Sequence, residues 1–327
     1  MAIHLRAPFW PAFLVASALA TSAAVSPDGT RSHSGSRWLQ RAIDMHGHTA
    51  PDVVPRSLND VELARLARDS GMRAIVLKNH HVATADRAQL AMQAVPGIEV
   101  FGGVVLNRAV GGINPDAVRR MVEMEGGRGR IVWLPTFDAE NGVRAEREER
   151  PFVKVIREGR LVPELVEVIR LITRYDLVLA TGHLPAAESI VVIKAAKAAG
   201  VKRILVTHVL SPALHATPED LVEMVRLGAM LEFVWLAHYV APTTANVRFP
   251  GPSRPPLPLE CCVEAIRAVG AEHIVLASDF GQQGNPPPPD GLHAFAAELH
   301  QAGISAQQLD LMLRRNPARL LELAAAW

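Results

Sequence analysis

The stretch LVLATGHLPAAESIVVIKAAKAAGVKRILVTH, residues 177–208, holds two short apolar runs, LVLATGH and ILVTH, on either side of a helical pattern that Gly200 closes. Neither run alternates polar with apolar residues. That is the composition of a strand buried on both faces, as parallel sheets require. Strand, helix and strand of this kind make one crossover unit. Each of the two runs stops at a histidine, His183 and His208.

The unit repeats along the chain. Such runs begin near Ile43 (IDMHGH), Ala74 (AIVLKNHH), Val100 (VFGGVVLN), Ile131 (IVWLPTFD), Leu177, Ile204, Ala229 (AMLEFVW) and Ile274 (IVLASDFG), with successive starts 25 to 46 residues apart. The helices between them carry start and stop signals. Ser57 to Asp60 reads as a capping box, Asn114-Pro115 and Thr217-Pro218 as caps followed by proline, and Gly71, Gly200, Gly228 and Gly270 as stops. Eight such repeats predict an α/β fold of the closed (β/α)8 TIM barrel type. An open doubly wound sheet would place a glycine-rich turn after the first strand, and none stands there.

Two gaps are wide. Glu140 to Pro163 contains FVKVI and RLV around Glu158-Gly159, which predicts a β-hairpin inserted after the fourth strand, with its flank RAEREER as solvated surface. Ala237 to Pro258 is proline-rich and follows the seventh strand; Gly281 to Gly291, with four consecutive prolines, follows the eighth. All three lie on the C-terminal side of strands, where barrel enzymes build their sites, and are read as walls or lids of a substrate pocket.

The 327 residues are 49% apolar and 20% charged, enough to bury a large core. Lys and Arg number 34 against 33 Asp and Glu, so no net basic field draws nucleic acid or anionic lipid. The two cysteines, Cys261 and Cys262, are adjacent and cannot staple distant segments. At the N-terminus, an apolar and small-residue run from Ala12 to Val25 is too short for a membrane span. It reads as a signal peptide or an unfolded extension over residues 1–25, with export in the first case and a cytoplasmic protein in the second. Residues 26–36 read as a linker and 37–327 as a single barrel domain.

The chemistry gathers at strand ends. His46 and His48, one residue apart, leave the first strand on one face; His183, His208 and Asp279 end the fifth, sixth and eighth. Three or four imidazoles with one carboxylate suit a divalent ion, zinc first and manganese or iron next, in a site left open for water. Lys78 sits at the tip of the second strand and turns inward with Val76. It has three readings: a carbamate bridging two metals, a cation for a substrate carboxylate or oxyanion, or a solvated rim residue. His80 shares its parity and is a candidate for substrate contact, whereas His238 reads as a surface residue and His273 as part of the barrel floor. Asn107 and Glu232 enter the pocket or fill the barrel, and Asp138 is a candidate ligand or ligand support. Gly102-Gly103 and Gly111-Gly112 precede no helix in the manner of a phosphate-binding turn.

Taken in order, His46-Gly-His48, Thr-Gly-His183, Thr-His208 and Ser-Asp279 resemble the amidohydrolase superfamily of metal-dependent barrels over roughly residues 40–285. The resemblance implies that His46, His48, His183 and Asp279 hold metal, and that His208 binds a second metal or polarises water and substrate. It departs at the fourth strand, which ends Leu134-Pro-Thr-Phe-Asp138 without the bridging Lys or Glu of binuclear members. One or two ions therefore stay open. The expected activity is hydrolysis of a small molecule by metal-activated water, and the resemblance alone implies that the bond is an amide, lactam or other C–N bond, with esters and lactones next. Asp279, His208 and Lys78 are its candidate catalytic residues. The alternatives are a metal-dependent decarboxylase on the same site, or a metal-binding barrel without turnover. A homo-oligomer is implied by the resemblance alone.

Overall fold

A computed structural model describes residues 35–146, 149–239 and 256–324. The signal-peptide reading, nearly all of the linker and most of the loop after the seventh barrel strand lie outside the described residues. Eight parallel strands form one sheet in the order β1 (Ile43–Gly47), β2 (Ala74–Leu77), β3 (Glu99–Val105), β4 (Gly129–Trp133), β7 (Val178–Ala180), β8 (Arg203–Val206), β9 (Met230–Val234) and β10 (Ile274–Ala277). The ring closes between its two ends. The Asp279 N–H donates to the His46 carbonyl at 2.9 Å, and the His48 N–H to the Phe280 carbonyl at 2.8 Å. The fold is a (β/α)8 barrel, and every strand falls within two residues of its predicted run.

The main outer helices are α1 (Asp60–Asp69), α2 (Ala85–Ala94), α3 (Pro115–Glu123), α5 (Pro163–Arg174), α6 (Ala186–Ala198), α7 (Pro218–Arg226), α8 (Leu259–Val269) and α9 (Pro288–Gln301). Their apolar faces cover the outward residues of the strands in one continuous core. The capping box of α1 is Asn59 with Glu62, two residues beyond the predicted Ser57. Ser57 cannot serve, because its N–H already donates to the Gly281 carbonyl at 2.9 Å. At α7 the expected cap stands, Thr217 pairing with Asp220 behind Pro218.

Inside the ring, Ile43, Met45, Val76, Phe101, Ile131, Trp133, Val178, Leu205 and Val275 fill the lumen. The C-terminal helix α10 (Asn316–Leu321) joins that cluster through Ala318, Leu320 and Leu321. It is fastened where β10 begins, with the Asn316 Nδ2 group donating to the Ala271 and Ile274 carbonyls at 2.8 and 2.7 Å. One end of the barrel is thus plugged with apolar side chains, and only the other can admit a ligand.

The insertion after β4 contains the predicted hairpin, β5 (Ile156–Arg157) against β6 (Arg160–Leu161), turning through Glu158 at φ 52° and Gly159 at φ 73°. Two left-handed residues in a row make the type I′ turn that a two-residue hairpin favours. A short helix, α4 (Glu140–Ala145), precedes it and ends on the first two residues of the flank RAEREER. Gly102 and Gly103 are explained by close approach. A Cβ on Gly102 would lie 2.3 Å from the Thr84 carbonyl oxygen, and one on Gly103 2.0 Å from that of Ile131. The four prolines are less of a loop than expected, since Pro288 and Pro289 form the first turn of α9, where a missing N–H costs nothing.

Candidate active site

A β-bulge at the end of β1 sets the site. The ladder with β2 runs Ile43 to Ala74, Asp44 to Ile75 and then Gly47 to Leu77, so Met45 and His46 together oppose Val76. The extra residue changes the strand's phase: Ile43 and Met45 face the lumen, and so do His46 and His48 after them. Buried Asp44 holds the bulge, accepting the N–H groups of His46 and Ser278 at 3.1 Å each and the Ser278 hydroxyl as well. Burial raises Asp44 to about 6.

At the open end of the barrel, His46 Nε2 and His48 Nε2 each lie 3.0 Å from the same oxygen, Oδ1 of Asp279. The three donor atoms stand within 4.8 Å of one another, and among the described residues this is the one such group of three. Each ring is fixed from behind. His48 Nδ1–H donates to the Lys78 carbonyl at 2.9 Å, and His46 Nδ1–H to Glu232 Oε2 at 3.2 Å. Supports of this kind select the tautomer that leaves Nε2 free to coordinate. Two imidazole nitrogens and a carboxylate oxygen, all directed at one point, fit a divalent cation.

Asp279 occupies the left-handed region at φ 55°, a conformation Asp tolerates better than most residues. Gly281 follows at φ 133°, where a Cβ would sit 1.9 Å from the His48 carbonyl oxygen. Gly281→Ala is expected to cost about 3 kcal/mol of stability by displacing His48 or the β10 turn. Urea denaturation against wild type measures it, and an unchanged midpoint would refute the close approach.

Lys78 is fully buried, so the rim reading does not hold. Its Nζ lies 3.0 Å from His46 Nε2 and 5.6 Å from the centre of the Trp133 ring. Burial lowers it to about 8, against the opposing pull of Asp279 and Glu232. His46 is subject to the same burial, but Asp279 and Glu232 outweigh it and raise this ring to about 9. Burial pushes His48 down to about 3 and His208 to about 4. Burial acts to raise Asp279, yet His46 and His48 hold it well below the usual carboxylate range.

His183 and His208 line the same cavity and pack on each other with ring centres 4.7 Å apart, but they stand outside the three-donor group. His208 has φ 28°, and its buried Nδ1 has no hydrogen-bond partner among the described residues. His183 is held neutral by burial, well below its ordinary value. His80 also faces the cavity, stacked on Phe137 at 3.9 Å between ring centres. Asn107 does not enter. Its Nδ2 donates to the Thr136 hydroxyl oxygen at 2.8 Å, so that hydroxyl gives its own hydrogen to His80 Nδ1, also at 2.8 Å. The chain leaves Nε2 of a neutral His80 carrying its hydrogen.

Other expectations need correction. Asp138 is no ligand, since its carboxylate accepts the Arg108 N–H at 2.8 Å and pairs with Arg150 at 2.7 Å. His238 is buried rather than superficial. Its Nδ1–H donates to the Leu257 carbonyl at 2.9 Å and its Nε2 lies 3.1 Å from Cys262 Sγ, pinning α8 to the end of β9. The cavity, about 400 Å³, is walled by Phe137, Asn141, Ala145, Leu214 and Leu236, with Glu146 and His215 beside them. Neither the hairpin nor the four-proline loop lines it. The wall residues of α4 fall within the stretch Glu140 to Pro163 read as a pocket wall, but the helix that presents them escaped the sequence reading because six residues around Gly142 show no periodicity. Glu232 carried a visible signal, a lone acid within the apolar run AMLEFVW, without an indication of its partner.

The barrel resembles solved structures. A zinc-bound amidohydrolase from Burkholderia multivorans superposes with TM-score 0.54 at 14% identity, over 86% of this chain and 99% of that one. The organophosphorus hydrolase from Deinococcus radiodurans gives 0.52 at 15%, over 91% and 96%. A 2,6-dihydroxybenzoate decarboxylase complexed with 2,6-dihydroxybenzoate gives 0.52 at 13%, over 87% and 100%. The fold implied by the resemblance to the amidohydrolase superfamily is the fold these structures share. In sequence, the family described as "Family of unknown function (DUF6282)" matches residues 41–232, more than half of the chain. No curated protein matches.

Proposed function

This chain belongs to that family, DUF6282, and from the site it carries we propose that it is a metal-dependent hydrolase of a C–N bond, an amide or lactam, in a small molecule. The observation that carries the reading is the placement of His46 Nε2 and His48 Nε2, each 3.0 Å from Asp279 Oδ1, in the floor of a cavity of about 400 Å³. His46, His48 and Asp279 would hold the ion, with zinc favoured by their nitrogen and oxygen donors. When bound, such an ion supplies Lewis acidity and makes hydroxide available near neutral pH.

The chain's own residues do the rest. Asp279 takes the proton of the attacking water on Oδ2 and returns it to the leaving nitrogen. Lys78 Nζ, His80 Nε2 and the His208 ring, all of residues that line the cavity, are donors for the oxygen on which charge develops, and burial makes each such hydrogen bond strong. Phe137, Leu214 and Leu236 receive the apolar part of the substrate and exclude water. Lys78→Met is expected to lower kcat by about 10²-fold, the usual effect of removing one oxyanion donor. Steady-state kinetics on the metal-loaded protein measures this, and unchanged turnover would remove Lys78 from the site's chemistry.

One observation favours decarboxylation as the second reading: a fully buried lysine beside the donor group can hold a substrate carboxylate. The likeness to the decarboxylase structure agrees with it. The deciding experiment is elemental analysis of protein purified without chelators, followed by amide, lactone and aromatic carboxylic acid panels. Metal-dependent cleavage with uptake of water supports the hydrolase, and CO₂ release moves the assignment to the decarboxylase. A metal-replete protein inert on every panel supports a binding barrel, and a protein that takes up no divalent ion overturns all three.

A further inference from the structure

The donor group rests on a carboxylate that none of its expected roles includes. Glu232 lies in the middle of β9, wholly buried, where a charge survives only with partners. Its Oε2 accepts two hydrogen bonds from two different parts of the site, the His46 Nδ1–H at 3.2 Å and the backbone N–H of His208 at 3.0 Å. The first fixes the ring and tautomer of a donor whose Nε2 faces Asp279. The second secures a residue whose φ of 28° an unsupported chain would relax. Its other oxygen, Oε1, is buried without a hydrogen-bond partner among the described residues. A carboxylate kept half-satisfied in an apolar lumen costs stability, and a residue retained only for packing would be better served by an apolar side chain.

We infer that Glu232 is a positioning residue for the metal: one oxygen locks His46 with Nε2 toward the donor group and clamps the His208 turn to the same strand. The inference rests on the proposed metal site and concerns what sets its affinity. Nothing in it requires Glu232 to touch substrate. Removing the charge has two consequences for the protein. Neutralising the carboxylate weakens metal binding, because the ring loses a charge-assisted support. Gln still accepts the His46 Nδ1–H but carries no charge, so the metal-free fold loses part of the buried pair, and less than it loses when the ring itself is deleted.

The test compares wild type and Glu232→Gln, each stripped of metal, by titration with Zn²⁺ against a competing chelator and by thermal melting. The expected result is a Kd about 10- to 100-fold weaker for Glu232→Gln, with a metal-free Tm at or modestly below that of wild type. Should Glu232→Gln prove insoluble, Glu232→Asp keeps the charge and loses the reach, and the same weakening is expected. Equal Kd values for wild type and variant would overturn the inference while leaving the metal site intact. A lower metal-free Tm with unchanged Kd would do the same and leave Glu232 a structural residue. A wild type without affinity for Zn²⁺ would overturn the proposed function and this inference with it.

Discussion

Asp279→Asn is expected to lower turnover by about 10³-fold while the protein stays folded. Asn has the same shape, and the left-handed backbone at φ 55° accepts it as readily as Asp. The backbone bonds that place the residue do not involve its side chain: its N–H donates to the His46 carbonyl at 2.9 Å, and its carbonyl accepts Gln282 Nε2 at 2.8 Å. What is lost is the anionic oxygen that both imidazoles face, and with it the group that takes the proton from water. Kinetics and a melting curve on the same preparation make the check. Turnover within a few-fold of wild type would displace Asp279 from its role, and loss of fold would show that the carboxylate serves the barrel instead.

His46→Ala and His48→Ala are both expected to bring metal content to background, and to differ in stability. His48 donates its far nitrogen to a backbone carbonyl at the edge of β2, so its loss strands a neutral acceptor. His46 donates to Glu232, and its removal leaves a buried carboxylate with only the His208 N–H to satisfy it. Breaking a buried charged pair by deleting one partner costs about 3–5 kcal/mol, a cost smaller in His48→Ala, where Asp279 keeps His46 as its partner. Elemental analysis and urea denaturation read the two effects separately. Full metal occupancy in both variants would remove the metal site, and equal stability losses would mean that Glu232 and His46 are not coupled as drawn.

Much of this architecture is legible in the chain because parallel strands announce themselves locally. A strand covered on both faces must be apolar throughout, so IVLASDFG and ILVTH end visibly where the first polar residues appear, and those residues stand at the mouth of the ring. His46, His48, His183, His208 and Asp279 all line one cavity for that reason. Lys78 and His80 follow by parity. The misreadings come from residues whose partners are distant in sequence. Asp138 looks like a ligand until Arg150 is brought beside it, and His238 looks superficial until Cys262 packs against it.

The order of strands and helices, the number of repeats and the set of side chains delivered to one end are all written in the chain. Each follows from local composition and from a two-residue or 3.6-residue period. The tertiary structure alone decided which of those side chains meet. The bulge that opposes Met45 and His46 to Val76, the convergence of His46 and His48 on one oxygen of Asp279, and the support of Glu232 under His46 join residues 30 to 233 positions apart. Their distances are set by how a twisted ring closes on its first strand, and no local pattern in the chain encodes that closure.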